Sequence, residues 1–315
     1  MVDVTLHIGA HRTGTTTFQR MLGQNGPSLR RSGLAYCGPK RTRTDLLAGT
    51  FTPGPVFLPW RQRRLTRDAG LVARALADLG AEGGGRLVVS DASFLGSIHD
   101  CLMTGRLYPD AAARARSLAQ LFGPLCRRIG LAVRSYDTYW ASALAFALPR
   151  GGPLPDAAML RALVGQDRRW RHVILDVARA FPQAEIVVWR YEAMAARPDA
   201  LAAALFDTDM PRLHGARNWH RAAPTAAALR GHLADLGAAP GLIKDDCGRF
   251  APFDAAARRA LQAAYADDIA WLQAGTAAQI RYIDGTKDIT VAATRRKGQG
   301  HDRDQQAEQR PRRLA

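Results

Sequence analysis

Residues 2–16 read VDVTLHIGAHRTGTT. The first seven alternate well enough for a buried strand, the next eight form a loop bounded by Gly9 and Gly14, and Phe18, Met21 and Leu22 then recur at the spacing of one helix face. A strand, a glycine loop and a helix follow one another without a gap. Glycines permit the tight turn and the close approach of an anion. The free N–H groups and positive end of the helix attract phosphate or sulfate oxygens. Thr13, Thr15 and Thr16 bring hydroxyl donors to the same place.

Outward from this unit the chain alternates strand and helix. RLVVS at 86–90 follows three glycines, IGLAVR at 129–134 has the length and apolar character of a buried parallel strand, and AEIVVWR at 184–190 is a third such run. Helical spacing fills 109–123, the stretch after Tyr136, and 167–182, with Gly123 as a stop. That alternation predicts an α/β fold, a central parallel sheet flanked by helices on both faces. Beyond about residue 208 the strand signals stop, and helical stretches near 222–236 and 254–273 predict a helical C-terminal part. One domain is expected over 1–286. Residues 38–66, rich in Pro, Gly and Arg, read as a long surface loop, either a cover for a ligand or a solvated connector. Residues 287–315 are polar and basic, and read as a disordered tail.

Composition bounds the function. With 315 residues and 47% hydrophobic side chains the chain can bury a large core, so wholesale disorder is excluded. Its four cysteines, Cys37, Cys101, Cys126 and Cys247, are far apart and outside any CxxC pattern, which argues against a disulfide framework or zinc site and for a reducing compartment. The N-terminus lacks the basic start and apolar core of a signal peptide. The longest apolar run, ASALAFAL at 141–148, is far short of the roughly 20 residues of a membrane span. A cytoplasmic protein without a membrane span is expected. The net charge is +16, and all but four of its 44 basic residues are arginine. Such a balance suits anionic ligands.

The loop Gly9-Ala-His-Arg-Thr-Gly-Thr-Thr16 matches the first part of the nucleoside-triphosphatase pattern GxxxxGK[ST], but Thr15 stands where that pattern has its lysine. The cation sits earlier, at Arg12. HRTGTT resembles the 5′-phosphosulfate loop of the sulfotransferase family, a Lys followed by Ser/Thr-Gly-Thr-Thr, with Arg12 in the lysine's place. A compact ammonium becomes a planar fork. Arg134 at a strand end and Ser142 in the next helix resemble the pair with which that family holds the 3′-phosphate of its donor. The similarity to bacterial members extends diffusely over about residues 3–273, through 168–194, NWHRAAPT at 218–225, and the segment around Tyr265, Asp268 and Leu272. Arg296-Lys297-Gly298 resembles a further 3′-phosphate motif of cytosolic members.

The resemblance implies a P-loop-like fold and transfer of a sulfuryl group from 3′-phosphoadenosine 5′-phosphosulfate to a hydroxyl or amine, on a glycan, a lipid or a small molecule, without a metal. It implies donor binding by His11, Arg12, Thr13, Gly14, Thr15, Thr16, Arg134 and Ser142. Arg12 also has a catalytic part, stabilising the leaving phosphate. Asp91, in SDASFLG after the second strand, is the candidate base, where relatives often carry an acid; a turn or cap carboxylate is the plain alternative. His7, His11 and His99 are its rivals, since neutral imidazole accepts protons near pH 7. Two other classes stay open: a P-loop kinase or nucleotide hydrolase, and a non-catalytic polyanion-binding protein. Nucleic acid is an unfavoured partner, because no recognition motif accompanies the basic runs.

Overall fold

Six strands form one sheet in the order β2-β3-β1-β4-β5-β6, every neighbouring pair parallel. They are β1 (Asp3–His7), β2 (Leu34–Cys37), β3 (Arg86–Ser90), β4 (Cys126–Val133), β5 (Glu185–Arg190) and β6 (Ile280–Ile283). The computed structural model describes residues 2–51, 58–81, 85–208, 210–216, 218, 224–235, 243, 248–275 and 277–285. The tail at 287–315, with Arg296-Lys297-Gly298, lies outside them, as do Cys247 and most of 218–225.

The helices are α1 (Thr15–Gln24), α2 (Gly26–Arg31), α3 (Pro39–Arg41), α4 (Pro59–Ala81), α5 (Ile98–Thr104), α6 (Ala111–Phe122), α7 (Tyr136–Ala147), α8 (Ala157–Gly165), α9 (Trp170–Ala180), α10 (Tyr191–Met194), α11 (Pro198–Phe206), α12 (Ala226–Asp235) and α13 (Ala255–Gln273). A π-helical turn, Thr42–Leu46, follows α3. Strand alternation decides which helices cover which face. Leu87, Val89, Leu131, Val133, Ile186 and Val188 face one apolar core, with Phe122 of α6, Trp140 of α7 and Val173 of α9. The intervening Val88, Ala132 and Val187 face the other core, against Phe18, Met21 and Leu22 of α1 and Leu201 and Leu205 of α11. The fold is therefore α/β, a parallel sheet flanked by helices.

Two expectations change. Segment 38–66 is not one long loop. Pro39 and Pro59 stand in the opening turns of α3 and α4, where a missing N–H costs nothing, so the prolines start helices here. Between them Leu46 and Leu47 are buried, and the buried Asp68 of α4 accepts from the Thr50 N–H at 2.7 Å and the Gly49 N–H at 3.2 Å. Residues 52–57 lie outside the described set. The C-terminal part is not wholly helical, because after α13 the chain returns to the sheet as β6, paired with β5 from Ile186↔Ile280 to Trp189↔Ile283. No helix among the described residues is long and apolar enough to cross a membrane.

Candidate active site

Parallel strands bring all their carboxyl ends to one edge of the sheet, where ligands of open α/β sheets bind. Here the segments after β1, β2, β3, β4 and β5 line one cavity of about 1170 Å³. The segment after β1 is the glycine loop. Gly9 and Gly14 have φ of 115° and 78°, and Arg12 has φ of 60°, a left-handed conformation that costs a non-glycine residue roughly 1 kcal/mol. Arg134, from the end of β4, holds it there: its guanidinium donates to the Arg12 carbonyl at 2.6 Å and, through Nε, to Thr138 Oγ1 at 3.1 Å. Arg134 is 8% exposed and lies 4.5 Å over the Tyr191 ring. Burial lowers its guanidinium pKa, a strain on the cation that a bound anion relieves.

The Arg12 side chain leaves the loop toward α7. Its Nε donates to Ser142 Oγ at 2.9 Å, and its guanidinium carbon is 5.1 Å from the centre of Phe146, which also carries Arg150 at 3.9 Å. Arg12, Arg134 and Ser142, far apart in sequence, thus meet beside one loop. The threonines divide. Thr13 and Thr15 donate their hydroxyls to the Ala10 carbonyl at 2.7 and 2.9 Å, so they brace the loop; Thr15 also lines the cavity, and Thr13 does not. Thr16 lines the cavity with Gly14. Helix α1 starts at Gly14 with no side-chain cap, and its first N–H groups are the donors that remain for an anion.

Asp91 has no access to the cavity. It is fully buried and its carboxylate is committed on both oxygens: Oδ2 accepts from Arg43 Nε at 2.7 Å and Thr42 Oγ1 at 2.8 Å, Oδ1 from Arg43 Nη2 at 2.6 Å and the Ser93 N–H at 2.9 Å. The assignment of Asp91 as base is corrected accordingly. It is the anchor of Arg43, which lines the cavity half-exposed.

The histidines separate by environment. His7 is buried in β1, its Nδ1 2.7 Å from Ser90 Oγ and its ring stacked on Trp189, and burial lowers it to about 3. His99 lies at the cavity's exposed rim. His11 lies in the wall, Nδ1 2.9 Å from Tyr108 Oη and Nε2 3.3 Å from Ser93 Oγ. Burial, assisted by Arg43 and Arg12 and opposed by Asp91, lowers it to about 4, so its imidazole is neutral at pH 7. Tyr108, which also accepts from the His11 N–H at 2.8 Å, escaped the sequence reading, because nothing local ties residue 108 to residue 11.

Eight arginine and lysine side chains line the cavity, and among the described residues no Asp or Glu does. Nor does any group of three His, Cys, Asp or Glu side chains able to hold a metal come together among them.

No family model matches the chain, and no curated protein matches it. Among solved structures it is similar to the sulfotransferase from Alicyclobacillus acidocaldarius, with 16% identity, 86% of this chain and 94% of that chain covered, and a TM-score of 0.38.

Proposed function

We propose that the chain is a sulfotransferase that moves a sulfuryl group from 3′-phosphoadenosine 5′-phosphosulfate to an acceptor hydroxyl. The observation that carries this reading is the meeting of Arg12, Arg134 and Ser142 beside the uncapped start of α1, in a cavity whose arginine and lysine side chains are met by no acidic lining residue among those described. A donor that carries phosphates at both ends suits such an arrangement, in which the N–H groups that open α1 adjoin the cationic group at the end of β4. The kinase reading fits less well, since Thr15, in the lysine's place, is turned back onto Ala10.

When bound, the donor supplies the reactive sulfur and a phosphate leaving group. The acceptor oxygen bonds to sulfur while the bond from sulfur to the bridging oxygen breaks, leaving its electron pair on the phosphate. The chain's part is to place the reactants and to meet charge as it develops. The first N–H groups of α1 are placed to meet the leaving phosphate, and Arg12, whose Nε is turned to Ser142, adds its positive charge beside them. His11 takes the acceptor's proton: with Nδ1–H donated to Tyr108 Oη, its unprotonated Nε2 accepts from Ser93 Oγ at 3.3 Å, a long bond that an acceptor hydroxyl would replace. A base at about 4 is weak, but anionic phosphates beside it raise that value toward neutrality, which strengthens it when the donor is present.

Titration calorimetry with 3′-phosphoadenosine 5′-phosphate, beside ATP with magnesium, tests the donor site. The bisphosphate is expected to bind in preference to ATP, and Arg134→Ala to weaken it by about tenfold or more, the scale of a lost charge-assisted bond. Ser142→Ala, which leaves Arg134's hold on the loop in place, is expected to weaken it about threefold to tenfold. Preference for magnesium ATP, or no binding to either, overturns the reading.

A further inference from the structure

The cavity holds more positive charge than a donor at the loop and β4 would use. Arg134 and Ser142 stand at the β4 side of the glycine loop, and Arg12 turns toward them. On the opposite side Lys40 and Arg41 of α3 and Arg43 of the π-helical turn line the same cavity. The sheet order sets the two strand ends apart. β2 lies three strand spacings from β4, roughly 14 Å at about 4.8 Å per spacing. Lys40 and Arg41 therefore leave the sheet on the side away from Arg134, while Arg43 reaches back to Asp91 and Ser93 after β3.

The arrangement on the β2 side is built. Asp91 and Ser93 Oγ fix Arg43, whose Nη2 lies 3.2 Å from Ser93 Oγ. Lys40 and Arg41 are exposed, and neither pairs with a carboxylate among the described residues. One-sign charge in a cleft repels itself and is relieved by a ligand of the other sign. Beside them Ser93, Ser97, His99 and Gln19 of α1 set hydrogen-bonding groups next to the carbon faces of Tyr36 and Ile98, a mixture that suits a ring with many hydroxyls better than an acyl chain.

We infer that the acceptor is an anionic saccharide, one whose carboxylate or other anionic groups sit against Lys40, Arg41 and Arg43 while a hydroxyl reaches His11. This rests on the sulfotransferase reading above. Lys40 and Arg41 are specificity-determining residues in it, remote from the transferred group.

The test uses the full chain saturated with 3′-phosphoadenosine 5′-phosphate, titrated with a galacturonate hexamer as the anionic probe and maltohexaose as the neutral one. The hexuronate is expected to bind at least tenfold more tightly than maltohexaose. In the double variant Lys40→Ala/Arg41→Ala that preference falls tenfold or more, while the affinity for the bisphosphate changes less than twofold. Arg30→Ala/Arg31→Ala, which removes two exposed cations of α2 outside the cavity, controls for general charge and is expected to change hexuronate binding less than twofold. Equal binding of the two probes, including binding of neither, overturns the inference, and so do equal losses in the two double variants. Both substituted pairs are exposed, so neither threatens folding. Failure of the donor reading shows separately, as failure of the bisphosphate to bind in the first titration.

Discussion

At the scale of single residues, Asp91 and Arg43 are unequal partners, and the inequality is testable. The carboxylate is fully buried while the guanidinium side chain is 49% exposed. Arg43→Ala leaves a buried charge with two remaining donors, Thr42 Oγ1 and the Ser93 N–H, whereas Asp91→Asn removes the charge and returns Arg43 to water. Arg43→Ala is therefore expected to destabilise by about 2–4 kcal/mol and Asp91→Asn by about half as much, read from urea unfolding. Turnover by Asp91→Asn is expected to stay within about tenfold of the parent, and a larger loss would restore Asp91 to the chemistry. His11 is the contrasting case. Its imidazole, lowered to about 4 without ligand, is expected to move up by a unit or more when the bisphosphate binds, followed by NMR of the ring protons. No movement would place the anion away from His11 and remove it as the base.

Among the elements, β4 and α11 approach closely at Gly130. A Cβ built on Gly130 would lie 2.8 Å from Leu205 Cδ1 and 3.1 Å from the Trp189 ring. Gly130→Ala is expected to cost about 1–3 kcal/mol of stability through overpacking, measured by thermal or urea unfolding, and a neutral result would mean that α11 slides freely. The loop and the central strands were legible in the sequence because fully buried parallel strands read as continuous apolar runs and glycines punctuate them. The two edge strands were not. LAYC and IRYI are four residues each and only partly buried, so neither run is long or apolar enough to stand out. Prolines 39 and 59 misled for a related reason: in sequence a proline reads as a break, and only the chain around it shows whether a helix ends or starts there. Asp91 was placed at the right strand end, but whether a carboxylate faces a cavity or an arginine is a tertiary fact, set here by Arg43 from 48 residues away.

For the whole molecule, folding and protonation are linked through the two histidines that the fold keeps neutral. His7 is held at about 3 by burial against Trp189 and Phe18, and His11 at about 4, both below the ordinary value of 6.5. Between pH 6.5 and pH 4 the unfolded chain therefore binds protons at both rings that the folded chain does not. Stability must rise with pH across that window, and fall as the pH is lowered through it, by up to about 1.4 kcal/mol per pH unit for each ring fully protonated in one state and neutral in the other. His7 is 1% exposed and does not line the cavity, so its share can be removed without changing a lining side chain. His7→Gln, which retains a hydrogen-bonding group beside Ser90, is expected to lower the stability near neutral pH and to flatten the slope between pH 6 and pH 4.5 by about one proton, from urea unfolding at a series of pH values. An unchanged slope would mean that His7 titrates alike in both states, and that the polar contact with Ser90 accommodates the imidazolium after all.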